Sequence, residues 1–136
     1  MKPDRKQEAQ RWLRQAANDL SFMELAIREE YYSQACFYAH QSSEKALKAL
    51  AYLRGDRFAL GHSIGILLES LIGDYPELAS LKGTAESLEQ YYIPTRYPDA
   101  LPGGAPFEVY GAGAAREAGD IAGRVIGIAR RLIEGA

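Results

Sequence analysis

The fold is decided by the stretch Cys36-Phe37-Tyr38-Ala39-His40-Gln41-Ser42-Ser43-Glu44-Lys45-Ala46-Leu47-Lys48-Ala49-Leu50, which reads as one amphipathic helix with a polar edge. At about 100° per residue, its small and apolar residues share one face of the helix. His40, Glu44 and Lys48 form a row at four-residue spacing along the edge of that face, and Gln41 and Lys45 lie one step further round. This mixture of polar groups beside an apolar seam predicts either a polar ligand site or a contact that locks the bundle to a neighbour.

The composition is that of a single globular domain spanning residues 1–136. Of the 136 residues, 47% are hydrophobic and 25% are charged, which suits one buried core. The net charge of -2 provides no overall basic field, so we expect no DNA partner. No apolar run approaches the roughly 20 residues of a membrane span, so we expect no membrane association. The single cysteine, Cys36, and the lack of a histidine pair at ligand spacing predict a cytoplasmic protein without disulfides, metals or cofactors.

Helix-start and helix-stop signals divide the chain into consecutive helices. Asp4 with Gln7, and Asp74 with Glu77, match the capping-box pattern, and Ser63 is a plausible N-cap. The expected helices run from Asp4 to about Glu30, from about Ser33 to Arg54, from Ile64 to about Ile72, from Asp74 to Tyr92 and from about Val109 to Glu134. Because short turns place consecutive helices antiparallel, the sequence predicts an all-α, up-and-down bundle of four to five helices.

The last expected helix carries a row of small residues at four-residue spacing: Gly111, Ala115, Gly119, Gly123 and Gly127. Glycine inside a helix costs about 1 kcal/mol relative to alanine. The row therefore predicts that a neighbouring helix or another subunit packs very close to it. The alternative is simple tolerance of glycine in an otherwise strong helix.

The stretch from Ile93 to about Phe107 is a long irregular connection, and long loops in compact domains are often functional. Around its start, Tyr92, Arg96, Tyr97 and Asp99 combine aromatic rings with a guanidinium and a carboxylate. Tyrosine rings can stack on a base, and arginine can form a forked contact with a phosphate. The same residues could equally pin the loop onto the bundle through Tyr–Pro and Arg–Asp contacts.

Arg57 and His62 form a weaker candidate pair, five residues apart. An arginine and a histidine at such spacing could hold a phosphodiester and supply an acid or a base. Spacing alone is a weak signal in a chain with many arginines. Since the sequence also contains no readable nucleophile–base–orienter trio and no phosphate-binding glycine loop, we assign no catalytic residue.

Three segments together resemble the HEPN domain family, which is named for nucleotide binding in prokaryotes and higher eukaryotes. They are Ala39-His40-Gln41-Ser42-Ser43-Glu44-Lys45-Ala46-Leu47-Lys48-Ala49, Gly61-His62-Ser63-Ile64 and Arg96-Tyr97-Pro98-Asp99. The resemblance implies a helical bundle that forms homo-oligomers and pairs with a minimal nucleotidyltransferase protein, for which it helps to bind a nucleotide or substrate. Other branches are ribonucleases, often toxins, with an Arg-X4-6-His motif near the start of the last helix. This chain has no histidine there, so the resemblance favours the non-ribonuclease branch.

These observations lead to three hypotheses. The first is a nucleotide-binding module that forms homo-oligomers beside a small nucleotidyltransferase, in a toxin–antitoxin-like arrangement. Its expected binding residues are Lys45, Lys48 and Arg96 for phosphate, Tyr92 and Tyr97 for stacking, and His40, Gln41, Glu44, His62 and Asp99 for polar contacts or orientation. The second is a ribonuclease toxin that uses Arg57 and His62. The third is a structural subunit that buries the polar row and the glycine row in an oligomer interface.

Overall fold

The computed structural model describes residues 4–59 and 61–136, and the regular structure in these ranges is helical. The α-helices are α1 (Arg5–Arg28), α2 (Tyr32–Arg54), α3 (Ile64–Ile72), α4 (Pro106–Val109) and α5 (Ala112–Glu134). Three 3₁₀ segments lie between α3 and α4, at Pro76–Leu81, Ala85–Tyr91 and Pro98–Ala100. The prediction of an all-α helical bundle is confirmed.

The three long helices α1, α2 and α5 form the body of the bundle, and each contacts the other two. Arg5 Nη1 donates to the backbone oxygen of Arg54 at 3.5 Å, which places the start of α1 beside the end of α2. Lys6 Nζ donates to the backbone oxygen of Ala136 at 2.7 Å, so the start of α1 also lies beside the end of α5. Helix α1 therefore runs antiparallel to both of its neighbours.

The core between these helices is rich in alanine. Fully buried alanines come from all three helices: Ala9, Ala16, Ala39, Ala46, Ala122 and Ala129. Small side chains allow the helix backbones to approach closely, so the core is filled at a short interhelical spacing. Cys36 lies in this core as expected, and burial raises the pKa of its thiol to about 12. The thiol is therefore neutral and unreactive near pH 7.

The prediction of one continuous α-helix from Asp74 to Tyr92 is wrong. The chain forms two 3₁₀ segments there, Pro76–Leu81 and Ala85–Tyr91, separated near Gly83, whose φ of 83° is left-handed. Each segment buries apolar residues three positions apart, and these pairs are Leu78 with Leu81 and Ala85 with Leu88. A 3₁₀ helix has about three residues per turn, so each pair lies on one side of its segment. The apolar spacing identified the buried residues, but the left-handed conformation of Gly83 divides this part of the chain into two short elements.

Two glycines of the row, Gly119 and Gly123 of α5, have different surroundings. A Cβ added at Gly119 would lie 3.0 Å from Met23 Cε and 3.3 Å from Ile27 Cδ1, so α1 packs closely against this position. A Cβ added at Gly123 would have no atom within 4 Å. The prediction of a closely packed neighbouring helix therefore holds at Gly119, whereas Gly123 faces open space in the single chain.

Alanine substitution should separate these two glycines. We expect Gly123→Ala to raise the free energy of unfolding by about 0.5–1 kcal/mol, because it restricts the unfolded chain without a clash. Gly119→Ala should stabilise less, or destabilise, because the end of the Met23 side chain must shift. Urea denaturation of both variants at low protein concentration measures the difference. A destabilised Gly123→Ala would indicate that a second molecule covers this face.

Candidate functional site

Glu44 of α2 lies at the centre of a buried polar network. Its side chain is almost fully buried, and its two carboxylate oxygens have different partners. Lys48 Nζ donates to Oε2 at 3.1 Å, and His62 Nδ1 lies 3.0 Å from Oε1. Because a carboxylate can only accept, the proton of neutral His62 is on Nδ1, which leaves the Nε2 lone pair available. Glu44 therefore sets the tautomer and the orientation of an imidazole that is itself 57% exposed.

Tyr92 is the aromatic hub of the same region. The His62 ring stacks on it with a centroid distance of 5.1 Å and an interplanar angle of 22°. The His40 ring lies at 5.0 Å, and the Phe37 ring is stacked at 6.4 Å. The Arg96 guanidinium carbon is 4.9 Å from the Tyr92 centroid. With four side chains around it, Tyr92 is a platform for protein groups, so it is poorly placed to stack on a ligand base.

Arg96 is an exposed cation held by aromatic rings. Its guanidinium carbon lies 4.5 Å from the Phe37 centroid and 5.1 Å from the Tyr97 centroid. Its Nε donates to the backbone oxygen of Tyr92 at 2.9 Å. Within residues 4–59 and 61–136, no carboxylate forms a salt bridge with it. Because the rings orient the guanidinium and leave its charge unneutralised, its remaining N–H groups can receive an anion.

His40 of α2 lies against Tyr92 and is fully buried, with 1% of its surface exposed. Its Nδ1 lies 3.2 Å from Gln41 Nε2. Burial lowers the pKa of the His40 imidazole below its usual 6.5, although the carboxylates of Glu44 and Glu89 act in the opposite direction. His40 is therefore a neutral packing and hydrogen-bonding residue, and a ligand cannot reach it without rearrangement.

The buried imidazole predicts a loss of stability in mild acid. Since the pKa of His40 is lower in the folded than in the unfolded chain, unfolding takes up a proton below about pH 6.5. Stability should then fall as the pH decreases from 6.5 towards the lowered folded-state pKa, by at most about 1.4 kcal/mol per pH unit. Urea denaturation between pH 7.5 and 5 should show a shallower decline for His40→Gln than for the wild type. Parallel declines would mean that His40 is not a source of the acid sensitivity.

The start of α3, directly after His62, is held by an acidic residue from a distant segment. Ser63 is the N-cap, as expected, and its Oγ accepts a hydrogen bond from Ile66 N at 3.2 Å. Glu89 Oε1 accepts from Ser63 Oγ at 2.6 Å and from Gly65 N at 2.9 Å. Burial acts to raise the pKa of Glu89, but these hydrogen bonds outweigh it and lower the pKa below 4.5. The first turn of α3 is thus occupied by the protein's own anion.

The structure brings most of the sequence-predicted site residues into one region: His40, Gln41, Glu44, Lys48, His62, Tyr92, Arg96 and Tyr97. Lys45 points away from this group and pairs with Asp19 of α1. Asp99 is exposed and forms no ion pair with Arg96 in the described ranges. Arg57 is also exposed, and its described contacts include no hydrogen bond or salt bridge with His62.

Two residues of this region were missed by sequence reasoning. Phe37 carries one of the rings under Arg96, and its place directly before the polar edge of α2 could have suggested a role. Glu89 has no local sequence signal, because its partners are Ser63 and Gly65, more than twenty residues away. Such contacts are visible only once the 3₁₀ segment is placed against α3.

Residues 4–59 and 61–136 contain no cluster of three or more side chains able to hold a metal ion. Across the same ranges, each helix is too short or too polar to cross a lipid bilayer.

Comparisons with known proteins support the pattern seen in the sequence. The sequence model of the HEPN domain family matches residues 9–134. A Methanocaldococcus jannaschii protein named "Putative toxin MJ1304" is 28% identical over 97 residues, and the match spans 67% of this chain and 64% of that protein. The crystal structure of TT1696 from Thermus thermophilus superposes with a TM-score of 0.84 at 40% identity, covering 91% of this chain and 97% of that one. The crystal structure of ST0689, titled an archaeal HEPN homologue, gives 0.76 at 34% identity, covering 93% and 98%.

Proposed function

The chain belongs to the HEPN domain family, and from this premise we propose that it is a nucleotide-binding subunit of a toxin–antitoxin-like module. One observation carries the proposal. The Arg96 guanidinium is exposed, oriented by three aromatic rings and free of a carboxylate partner in the described ranges, and the Tyr92 ring that it contacts also carries the exposed imidazole of His62. An oriented guanidinium whose charge is not neutralised is suited to the phosphate of a nucleotide.

The proposed division of roles differs from the simple sequence expectation. Arg96 and His62 contact the phosphate, because both are exposed and both flank Tyr92. Tyr97, which is half exposed, offers a ring to the base. Lys48 and Glu44 are buried, so they position His62 instead of meeting the ligand.

Lys45 and Asp99 have weaker claims to a place in the binding site. Lys45 is engaged by Asp19, and Asp99 would repel a phosphate. We therefore assign neither residue a direct phosphate contact.

The biological setting is proposed from the family and from the named relative. Resemblance to a protein named as a toxin supports a toxin–antitoxin-like module. Within it, we propose that the chain forms a homo-oligomer and works in the cytoplasm beside a minimal nucleotidyltransferase protein. Co-expression with such a protein from the neighbouring gene, followed by size-exclusion chromatography with light scattering, tests both associations. Separate elution of the two proteins would remove the partner from the proposal, and a monomeric mass would remove the homo-oligomer.

Calorimetry with a panel of purine and pyrimidine nucleotides tests the binding function. We expect the affinity to increase from nucleosides to nucleoside monophosphates and triphosphates, since the phosphate provides the contact with Arg96. The titrations should be run with the chain alone and with the nucleotidyltransferase present. If no nucleotide binds under either condition, the binding function is wrong.

A ribonuclease toxin is the second candidate function, supported by the name of the M. jannaschii relative and by the His62–Glu44 hydrogen bond. That bond leaves Nε2 of His62 able to act as a general base, and Arg57 is the arginine at the permitted sequence spacing. Induced expression of the wild type, His62→Ala and Arg57→Ala in bacteria tests this candidate. Growth arrest and RNA cleavage by the wild type only would support it, whereas equal growth and intact RNA in all three would exclude it.

A further inference from the structure

The candidate site is assembled from two separate parts of the chain. One part is the connection after α2, which carries His62 and leads into α3. The other is the segment from Ala85 to Tyr97, which carries Tyr92 and Arg96. Within the second part, Arg96 Nε donates to the backbone oxygen of Tyr92, so these two residues are joined directly. The relative position of the two parts decides whether His62 and Arg96 can meet one ligand.

Glu89 is the polar residue that joins the two parts. It belongs to the same 3₁₀ segment that leads into Tyr92, and it accepts hydrogen bonds from Ser63 Oγ and Gly65 N. Ser63 directly follows His62 in the chain. We propose that Glu89 is a positioning residue that holds the His62 half of the site against the Arg96 half, an inference that rests on the nucleotide-binding function proposed above.

Two physical arguments support this assignment. A carboxylate at the start of a helix is stabilised by the unpaired N–H groups and the positive end of the helix dipole, so Glu89 has a strong preference for this position. Glu44 contacts His62 only at Nδ1 of the ring, so it does not restrain the chain that follows His62. Glu89 restrains that part of the chain, starting one residue further along, and it does so from the Arg96 half of the site.

The experiment compares three variants of the full chain by NMR spectroscopy and calorimetry. Glu89→Ala removes the acceptor. Glu89→Gln retains a side-chain oxygen that can accept from Ser63 and Gly65, so it serves as the conservative rescue. Glu77→Ala is the control with the same change in charge, because Glu77 is exposed on the preceding 3₁₀ segment. The ligand-free readouts are amide exchange of Gly65 and the nuclear Overhauser effect between the His62 and Tyr92 rings, and the ligand readout is nucleotide affinity.

For Glu89→Ala we expect Gly65 exchange to become roughly 10-fold faster, the His62–Tyr92 contact to weaken and nucleotide affinity to fall roughly 5–10-fold. Glu89→Gln and Glu77→Ala should stay close to the wild type. If Glu89→Ala accelerates Gly65 exchange but leaves the ring contact intact, Glu89 is only a helix cap and the inference is wrong. Should the wild type bind no nucleotide, the proposed function fails, while the ring contact still decides whether Glu89 positions His62.

Discussion

Lys48→Met is expected to lower the free energy of unfolding by about 3–5 kcal/mol, the range seen when one partner of a buried ion pair is removed. The side chains of Lys48 and Glu44 are only 8% and 4% exposed, so water cannot replace the lost ammonium. Glu44 would keep the hydrogen bond from His62, but its second carboxylate oxygen would lose its cationic partner. The measurement is urea denaturation at pH 7.5.

Two companion variants test this explanation. Glu44→Leu combined with Lys48→Met should recover much of the lost stability, because the double variant leaves no unpaired buried charge. Lys82→Met removes the same type of side chain from an exposed position that forms no salt bridge in the described ranges. It should cost far less than Lys48→Met. Equal losses at the two lysines would mean that burial of the Glu44 pair is not what makes Lys48 important.

Arg96→Ala is expected to weaken nucleotide binding by roughly 10–100-fold, which corresponds to about 1.4–2.8 kcal/mol. The reason is that charge-assisted hydrogen bonds from an oriented guanidinium to a phosphate are about twice as strong as neutral ones. The fold should be little affected, since Arg96 is exposed and forms no salt bridge in the described ranges. Calorimetry with a nucleoside triphosphate and with its nucleoside measures the effect, and the loss should be confined to the triphosphate.

Arg57→Ala provides the matched control, because it removes an exposed arginine that has no described contact with His62. It should leave affinity within about 2-fold of the wild type at moderate salt, where distant surface charges are screened. Arg96→Lys should recover only part of the affinity, because an ammonium cannot make the forked contact or lie flat on the rings. If Arg57→Ala reduces binding and Arg96→Ala does not, the phosphate contact has been assigned to the wrong arginine.

The polar edge of α2 illustrates how far a sequence pattern can reach. Helical periodicity placed His40, Glu44 and Lys48 on one edge, and the structure connects all three to a single region. The pattern did not distinguish exposed from buried members of the edge, so it suggested Lys48 as a phosphate contact. It also could not reveal that Lys45 turns towards Asp19 of α1. Whether any of these residues binds a ligand stays a prediction.

The segment after α3 illustrates the opposite case. Apolar spacing marked Leu78, Leu81 and Leu88 as buried, and they are fully buried. The apolar spacing did not identify the type of helix. Apolar residues that alternate three and four positions apart fit one α-helix, and they also fit two 3₁₀ segments separated by a break. The break depends on the left-handed φ of Gly83, and glycine can adopt either sign of φ. The contact of Glu89 with α3 could not be recognised for the same reason. Glu89 lies in the second 3₁₀ segment, and the break at Gly83 determines where that segment lies.

The sequence by itself determined that this chain is a helical bundle, which helix carries the polar edge, and the family to which these segments belong. It could do so because side-chain periodicity and capping are local properties that a few neighbouring residues specify. Only the tertiary structure decided that Glu44 orients His62, that Tyr92 and Phe37 hold Arg96, and that Glu89 accepts hydrogen bonds from the first turn of α3. Those contacts depend on how separate segments pack against one another, and hydrogen bonds and ring contacts act only at distances that packing creates.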